Sequence, residues 1–124
     1  NDTWTTYVAT LSIQLDQGPG GFANSGTAGY VGGGNVYLMG TISTIAKLTF
    51  SNDSRSNLGA TLSANNSRIG GHANSGTAGY FCGGDRSTSN IEKLTFSSDS
   101  RSTLSATMSL TKSQMGAMAN SGTL

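Results

Sequence analysis

Three strings recur along these 124 residues at nearly constant spacing, and this self-similarity limits the possible folds more than any other feature. ANSGTAGY occupies Ala23 to Tyr30 and again Ala73 to Tyr80, and ANSGT returns at Ala119 to Thr123. KLTFS occupies Lys47 to Ser51 and Lys93 to Ser97, and Asp-Ser-Arg-Ser follows each time, at Asp53 to Ser56 and at Asp99 to Ser102. A third string reads ATLS at Ala9 to Ser12 and Ala60 to Ser63, then ATMS at Ala106 to Ser109. The offsets run from 46 to 51 residues, and a loop of extra residues near Asn35 to Thr44 accounts for the longer first period.

The composition decides what each unit is built from. Charged residues are 10% of the chain, against about 25% in ordinary globular proteins. Gly, Ser, Thr and Asn take their place, and these residues disfavour helices and suit short strands joined by turns. Each unit holds four expected strands, which in the second copy lie near Gly70 to Ser75, Thr77 to Cys82, Asn90 to Phe96 and Ser102 to Leu110. Leu94 and Phe96 share one face with Lys93 and Thr95 on the other, and Leu48 and Phe50 repeat the pattern. Leu104, Ala106 and Met108 align with Leu58, Ala60 and Leu62 and with Tyr7, Ala9 and Leu11. A slip of one residue would expose each set, so the match predicts that every copy buries the same face in the same way.

A repeated four-stranded antiparallel unit of this length is the pattern of a propeller blade. Tyr80, Phe81, Gly83 and Gly84, with Tyr30, Gly32 and Gly33 in the other copy, make the units resemble kelch repeats. The Trp that such repeats place in a later strand is absent, and Leu58 and Leu104 stand near its position. The turns at Asp53 and Asp99 resemble the Asp-box of sialidase-like propellers, with Arg55 and Arg101 where that motif has Gly. In these turns Asp53, Arg55, Asp99 and Arg101 are expected to be structural, the Asp side chain accepting hydrogen bonds from backbone N–H groups nearby. Gly- and Ser-rich units of this kind are also similar to repeats in phage tail and bacterial surface proteins.

The resemblance implies an all-β fold of kelch-like blades, about two and a half in this chain. The expected divisions are a partial blade at 1–15, blades at 16–63 and 64–110, and a partial blade at 111–124. A closed propeller takes roughly four to eight blades. The rest of a longer chain, or other copies of the same chain, are therefore the expected partners. The start at Asn1 rather than Met fits a processed chain or a piece of a longer one.

Little in the sequence reads as catalytic chemistry. The only cysteine, Cys82, has no partner for an intrachain disulfide and reads as a small buried apolar residue. The only histidine, His72, aligns with Phe22 and Met118 and reads as a half-buried filler, with no neighbours at metal-ligand spacing. Paired carboxylates for glycoside hydrolysis would have to come from Asp16, Asp53, Asp85, Asp99 and Glu92, and two of these are repeat-turn residues. The glycine runs lack the Lys-Ser or Lys-Thr of a phosphate loop. No enzyme, metal or cofactor is expected. The net charge of +1 with scattered Lys and Arg gives no nucleic-acid footprint. No run of about 18 apolar residues is present to span a membrane.

The copies differ most in their loops, where propellers carry ligand recognition. One connection reads Asn35-Val36-Tyr37-Leu38-Met39-Gly40 in one copy and Asp85-Arg86-Ser87-Thr88-Ser89 in the next. Another reads Asp16-Gln17-Gly18-Pro19, then Asn65-Asn66-Ser67-Arg68, then Lys112-Ser113-Gln114. Asn35, Tyr37, Asp85, Arg86, Asn65 and Arg68 are the candidate ligand-binding residues, against the plainer reading of neutral drift in turns. Asn1, Asn52 and Asn65 match the glycosylation acceptor pattern, as chance also allows in a chain so rich in Asn, Ser and Thr. The expectation is a non-catalytic structural or binding module of an extracellular or virion protein, such as a tail fibre or adhesin, taking a glycan or cell-surface receptor. A fragment of a secreted sialidase-like or oxidase-like propeller enzyme, or an intracellular protein-interaction propeller, are the competing classes.

Overall fold

The computed structural model describes residues 14–85, 88–116 and 118–120, the last three through their backbone alone. Among them every regular element is a strand: β1 (Leu15–Gln17), β2 (Gly20–Asn24), β3 (Ala28–Gly32), β4 (Asn35–Val36), β5 (Gly40–Thr41), β6 (Thr44–Thr49), β7 (Ser54–Thr61), β8 (Gly70–Asn74), β9 (Ala78–Cys82), β10 (Asn90–Thr95), β11 (Ser100–Thr107) and β12 (Met118–Asn120). The four expected strands of the second unit are β8 to β11, with β11 starting at Ser100 and ending at Thr107 rather than running from Ser102 to Leu110.

Both repeats fold alike. β2-β3-β6-β7 is one antiparallel meander, and β8-β9-β10-β11 is a second. In the first, Phe22, Tyr30 and Lys47 lie side by side; in the second, His72, Tyr80 and Lys93 take the same places. The last strand pair breaks register at Thr44/Ala46 in one meander and at Asn90/Glu92 in the other, so even the bulge repeats. β12 adds to β8 in parallel, with Met118 opposite His72. A small third sheet, β1-β4-β5, is formed by the extra residues of the first period, which fold as a hairpin and pair with Leu15–Gln17.

The two meanders pack face to face, by unlike faces. Strand alternation puts Phe22, Tyr30, Ile45 and Lys47 on one face of the first sheet, and Gly71, Ala73, Gly79, Phe81, Leu94 and Phe96 on the opposing face of the second. These meet in one core, where Tyr30, Phe81, Ile45 and Leu94 are the largest fully buried side chains. Phe22 lies 4.6 Å from Phe81 between ring centroids, and Tyr30 stacks on Phe96 at 5.3 Å. Glycine makes the approach possible. A methyl group on Gly71 would overlap the Gly21 backbone, and one on Gly79 would overlap the Phe22 ring.

The same geometry corrects one expectation. Leu94 and Phe96 are buried, at 0% and 8% exposure, whereas their counterparts Leu48 and Phe50 are 38% and 40% exposed. The two copies therefore do not bury the same face alike. Leu94 and Phe96 are covered by the Tyr30 face of the preceding sheet, and among the described residues no sheet stands in that place over Leu48 and Phe50. The rows that start on β7 and β11 are also uneven. Leu58 and Leu104 are both half-buried, but Ala60 is half-buried where Ala106 is exposed, and Leu62 is buried where Met108 is half-buried. Tyr7, Ala9 and Leu11 lie outside the described residues.

Candidate functional site

The segments that precede β2, β8 and β12 come together at one end of the stacked sheets. Gly18, Arg68 and Gln114 stand at equivalent positions, all with left-handed backbone, at φ of 52°, 54° and 56°. The Ile69 N–H donates to the Gly18 carbonyl at 3.3 Å and the Gln114 N–H to the Arg68 carbonyl at 3.0 Å, which ties the three segments in a row. Gly18 approaches so closely that a Cβ there would sit 2.6 Å from the Arg68 nitrogen. Left-handed backbone at the non-glycine residues Arg68 and Gln114 costs roughly 1–3 kcal/mol each, a strain that concentrates at binding sites.

The Arg68 guanidinium reaches both ways along this row. One nitrogen donates to Asp85 at 3.2 Å and another to the Gln17 side-chain oxygen at 3.1 Å. Asp85 also accepts from the Ser67 hydroxyl at 3.0 Å, and its N–H donates to the Ser67 carbonyl. Beneath them the buried Asn66 donates to the Gly83 carbonyl at 2.8 Å, and its own carbonyl accepts from Gly34. This polar network fixes an open cleft of about 440 Å³, lined by polar Gln17, Arg68 and Gln114 and by apolar Pro19, Ile69 and Met115. Gln17 pairs with Asn35 across β1 and β4, so the β4–β5 hairpin rises beside the cleft. Its tip exposes Tyr37, Leu38 and Met39 at 69%, 89% and 77%, with Leu38 at a left-handed φ of 61°.

Of the residues singled out from sequence, Arg68 and Asp85 are thus an ion pair, Asn35 stands on the adjoining strand, and Tyr37 tops the hairpin. Asn65 is exposed beside the cleft-forming segment, and Arg86 lies outside the described residues. Asn1 lies outside them too; Asn52 is exposed in the β6–β7 turn, where its side chain accepts from the Ser54 N–H. Gln17 and Gln114 were not singled out. Their alignment with the segment carrying Arg68 was the available signal.

The turn residues are engaged in a way that the Asp-box likeness did not foresee. Asp53 and Asp99 occupy left-handed positions in their turns, at φ of 52° and 50°. The Asp99 carboxylate crosses to the first sheet, where it accepts from the Tyr30 hydroxyl at 3.0 Å and from Lys47 Nζ at 2.6 Å. Burial, then the bond to Asp99, pushes the Tyr30 phenol above its ordinary value, and the bond to Asp99 raises the Lys47 ammonium. Arg55 donates to Asn57 and Arg101 to Thr103, each within its own strand. Glu92, a hydrolase candidate by residue type, accepts from the Ser63 N–H and hydroxyl at 2.9 and 2.8 Å and faces Arg101 at 3.5 Å. Cys82 is buried, and burial raises its thiol. His72 is half-buried. No group of three metal-ligating side chains occurs among the described residues.

No known family model matches the chain, and no curated protein matches it.

Proposed function

We propose that this chain is a run of kelch-like propeller blades and serves as a non-catalytic binding module of an extracellular or virion protein, with the loop-end cleft as its ligand site. The observation that carries the reading is the packing of the Tyr30 face of one meander on the Gly79 face of the next. Unlike-face stacking is the kind of contact that can repeat from unit to unit, and here it leaves the connecting segments gathered at one end of the stacked sheets. The polar, weakly charged composition fits an exterior protein such as a tail fibre or adhesin.

The cleft suits a glycan. A guanidinium and two carboxamides offer donors and acceptors to hydroxyl groups, and Pro19, Ile69 and Met115 offer apolar contact to a ring face. Of the candidate carboxylates, Glu92 is held by Ser63 and Arg101, Asp99 by Tyr30 and Lys47, and Asp85, beside the cleft, by Arg68 and Ser67. A panel of oligosaccharides tested for binding and for turnover decides the matter. Binding should weaken at least tenfold in Arg68→Ala and Gln17→Ala, with no substrate consumed. Turnover that is lost in Glu92→Gln or Asp99→Asn would overturn the reading in favour of a propeller enzyme.

A further inference from the structure

Among the described residues, two faces have no further meander packed on them, and they are chemical counterparts of the two faces joined inside the chain. The Gly29 face of the first sheet corresponds to the Gly79 face of the second, with Leu48, Phe50 and Asp53 in place of Leu94, Phe96 and Asp99. It carries a groove of about 280 Å³ lined by Gly29, Val31, Ala46, Leu48 and Arg55, and a Cβ on Gly29 would meet only the Phe50 ring, at 3.4 Å. At the corresponding place on the second sheet, Phe22 fills the space over Gly79. The outer face of the second sheet corresponds to the Tyr30 face, with His72, Tyr80, Ile91 and Lys93 in place of Phe22, Tyr30, Ile45 and Lys47. Tyr80 and Ile91 are half-buried where Tyr30 and Ile45 are 2% and 0% exposed.

We infer that the Gly29 face is a docking surface for the Tyr80 face of a second copy of this chain, in the register of the internal contact. The inference rests on the stacked-blade reading above and names the partner. In that register Lys93 and the Tyr80 hydroxyl of one copy meet Asp53 of the next, as Lys47 and Tyr30 meet Asp99 within the chain. His72 enters the groove over Gly29. Leu48 and Phe50, exposed among the described residues, are then covered as Leu94 and Phe96 are. The contact is head to tail, so each copy keeps one face free and assembly continues until a ring closes or a fibre grows. β12 lies on β8 with Met118 opposite His72, the same one-repeat step that sets Gly71 against Gly21, so it holds the seat that β2 of the incoming copy needs. Docking therefore requires β12 to give way, and β12 acts as a brake on association.

Sedimentation of the full chain over a range of concentrations tests this. The chain should associate with rising concentration, and Ala119→Pro, which removes an N–H from β12, should shift association to at least tenfold lower concentration. Leu48→Asp, on the exposed face, and Lys93→Asp, on the other, should each leave a monomer with unchanged circular dichroism. An equimolar mixture of these two variants should form a one-to-one dimer and nothing larger, because each supplies the face that the other lacks. A chain that stays monomeric even with Ala119→Pro, or association that both single variants keep, overturns the inference. Failure of the stacked-blade reading itself would show differently, as a Gly79→Ala variant that unfolds like the wild type, since Gly79 lies in the internal contact alone.

Discussion

The Tyr30 hydroxyl donates to the Asp99 carboxylate at 3.0 Å, joining two sheets whose sequences repeat one another. Lys47 completes the junction from the same sheet as Tyr30, at 2.6 Å from the other carboxylate oxygen. A turn residue of one repeat is thus the polar clamp on the repeat before it.

Asp99→Asn isolates the charge in this clamp. Asn tolerates the left-handed backbone at this position, so the turn itself is little disturbed. The Lys47 and Asp99 side chains are 21% and 29% exposed, which places the pair between a surface ion pair and a buried one. The expected loss is about 1–2 kcal/mol, the range of a charge-assisted hydrogen bond partly screened by solvent. Denaturant unfolding followed by circular dichroism should show a lower midpoint with an unchanged slope. An unchanged midpoint would mean that the clamp contributes nothing.

The same clamp sets an alkaline limit. Tyr30 and Lys47 both hold their protons more tightly in the folded chain than in the unfolded one, where the ordinary values are 10.0 and 10.5. A raised folded value gives stability that is complete below the unfolded value and is lost as pH rises through the folded one. Unfolding midpoints should therefore be insensitive to these two groups near neutrality and fall above about pH 10. In Asp99→Asn the alkaline fall should be shallower, because the bond to Asp99 is the largest cause of the Lys47 shift and only the second, after burial, of the Tyr30 shift.

Much of this arrangement was legible in the sequence, and the part that was not has a physical reason. ANSGTAGY and KLTFS placed β2, β3, β6, β8, β9 and β10 because period-two alternation and Gly-rich turns are local signals. The burial of Leu94 against the exposure of Leu48 was not legible, since identical strings fall on sheets with different neighbours. Asp99 read as a turn residue for the same reason: its partners Tyr30 and Lys47 lie one repeat earlier, beyond the reach of local pattern. The cleft was half visible. The variable segment carrying Arg68 stood out, whereas Gln17 and Gln114 matter only because the backbone bonds from Ile69 to Gly18 and from Gln114 to Arg68 set three such segments side by side.

Gly79 and Gly29 occupy the same position in the two repeats and should respond oppositely to alanine. In Gly79→Ala the new methyl group overlaps the Phe22 ring, which is itself wedged against Phe81 and Tyr30. Overpacking of that kind costs about 1–3 kcal/mol. In Gly29→Ala the methyl group makes an ordinary contact with Phe50, and alanine loses less backbone entropy than glycine in a strand. Its stability should stay within about 0.5 kcal/mol of the parent or rise. Paired thermal melts read the difference, and equal destabilisation by both substitutions would contradict the asymmetric stacking.

Leu38 offers the reverse kind of test, a substitution that should stabilise. It sits at the tip of the β4–β5 hairpin, 89% exposed, so it contributes almost no burial to the fold. Its φ of 61° lies in the left-handed region, which costs a side-chain-bearing residue about 1–2 kcal/mol and glycine nothing comparable. Against that gain stands the greater freedom of glycine in the unfolded chain, worth about 0.5–1 kcal/mol. Leu38→Gly should therefore leave the chain as stable as the parent or more stable by up to about 1 kcal/mol, the opposite of a typical large-to-glycine change. If the exposed Tyr37-Leu38-Met39 tip also contacts the ligand of the neighbouring cleft, the same variant should bind the glycan identified in the oligosaccharide panel more weakly while unfolding later. Thermal melts and binding isotherms on one preparation separate the two effects, and a fall in both would show that Leu38 is packed rather than displayed.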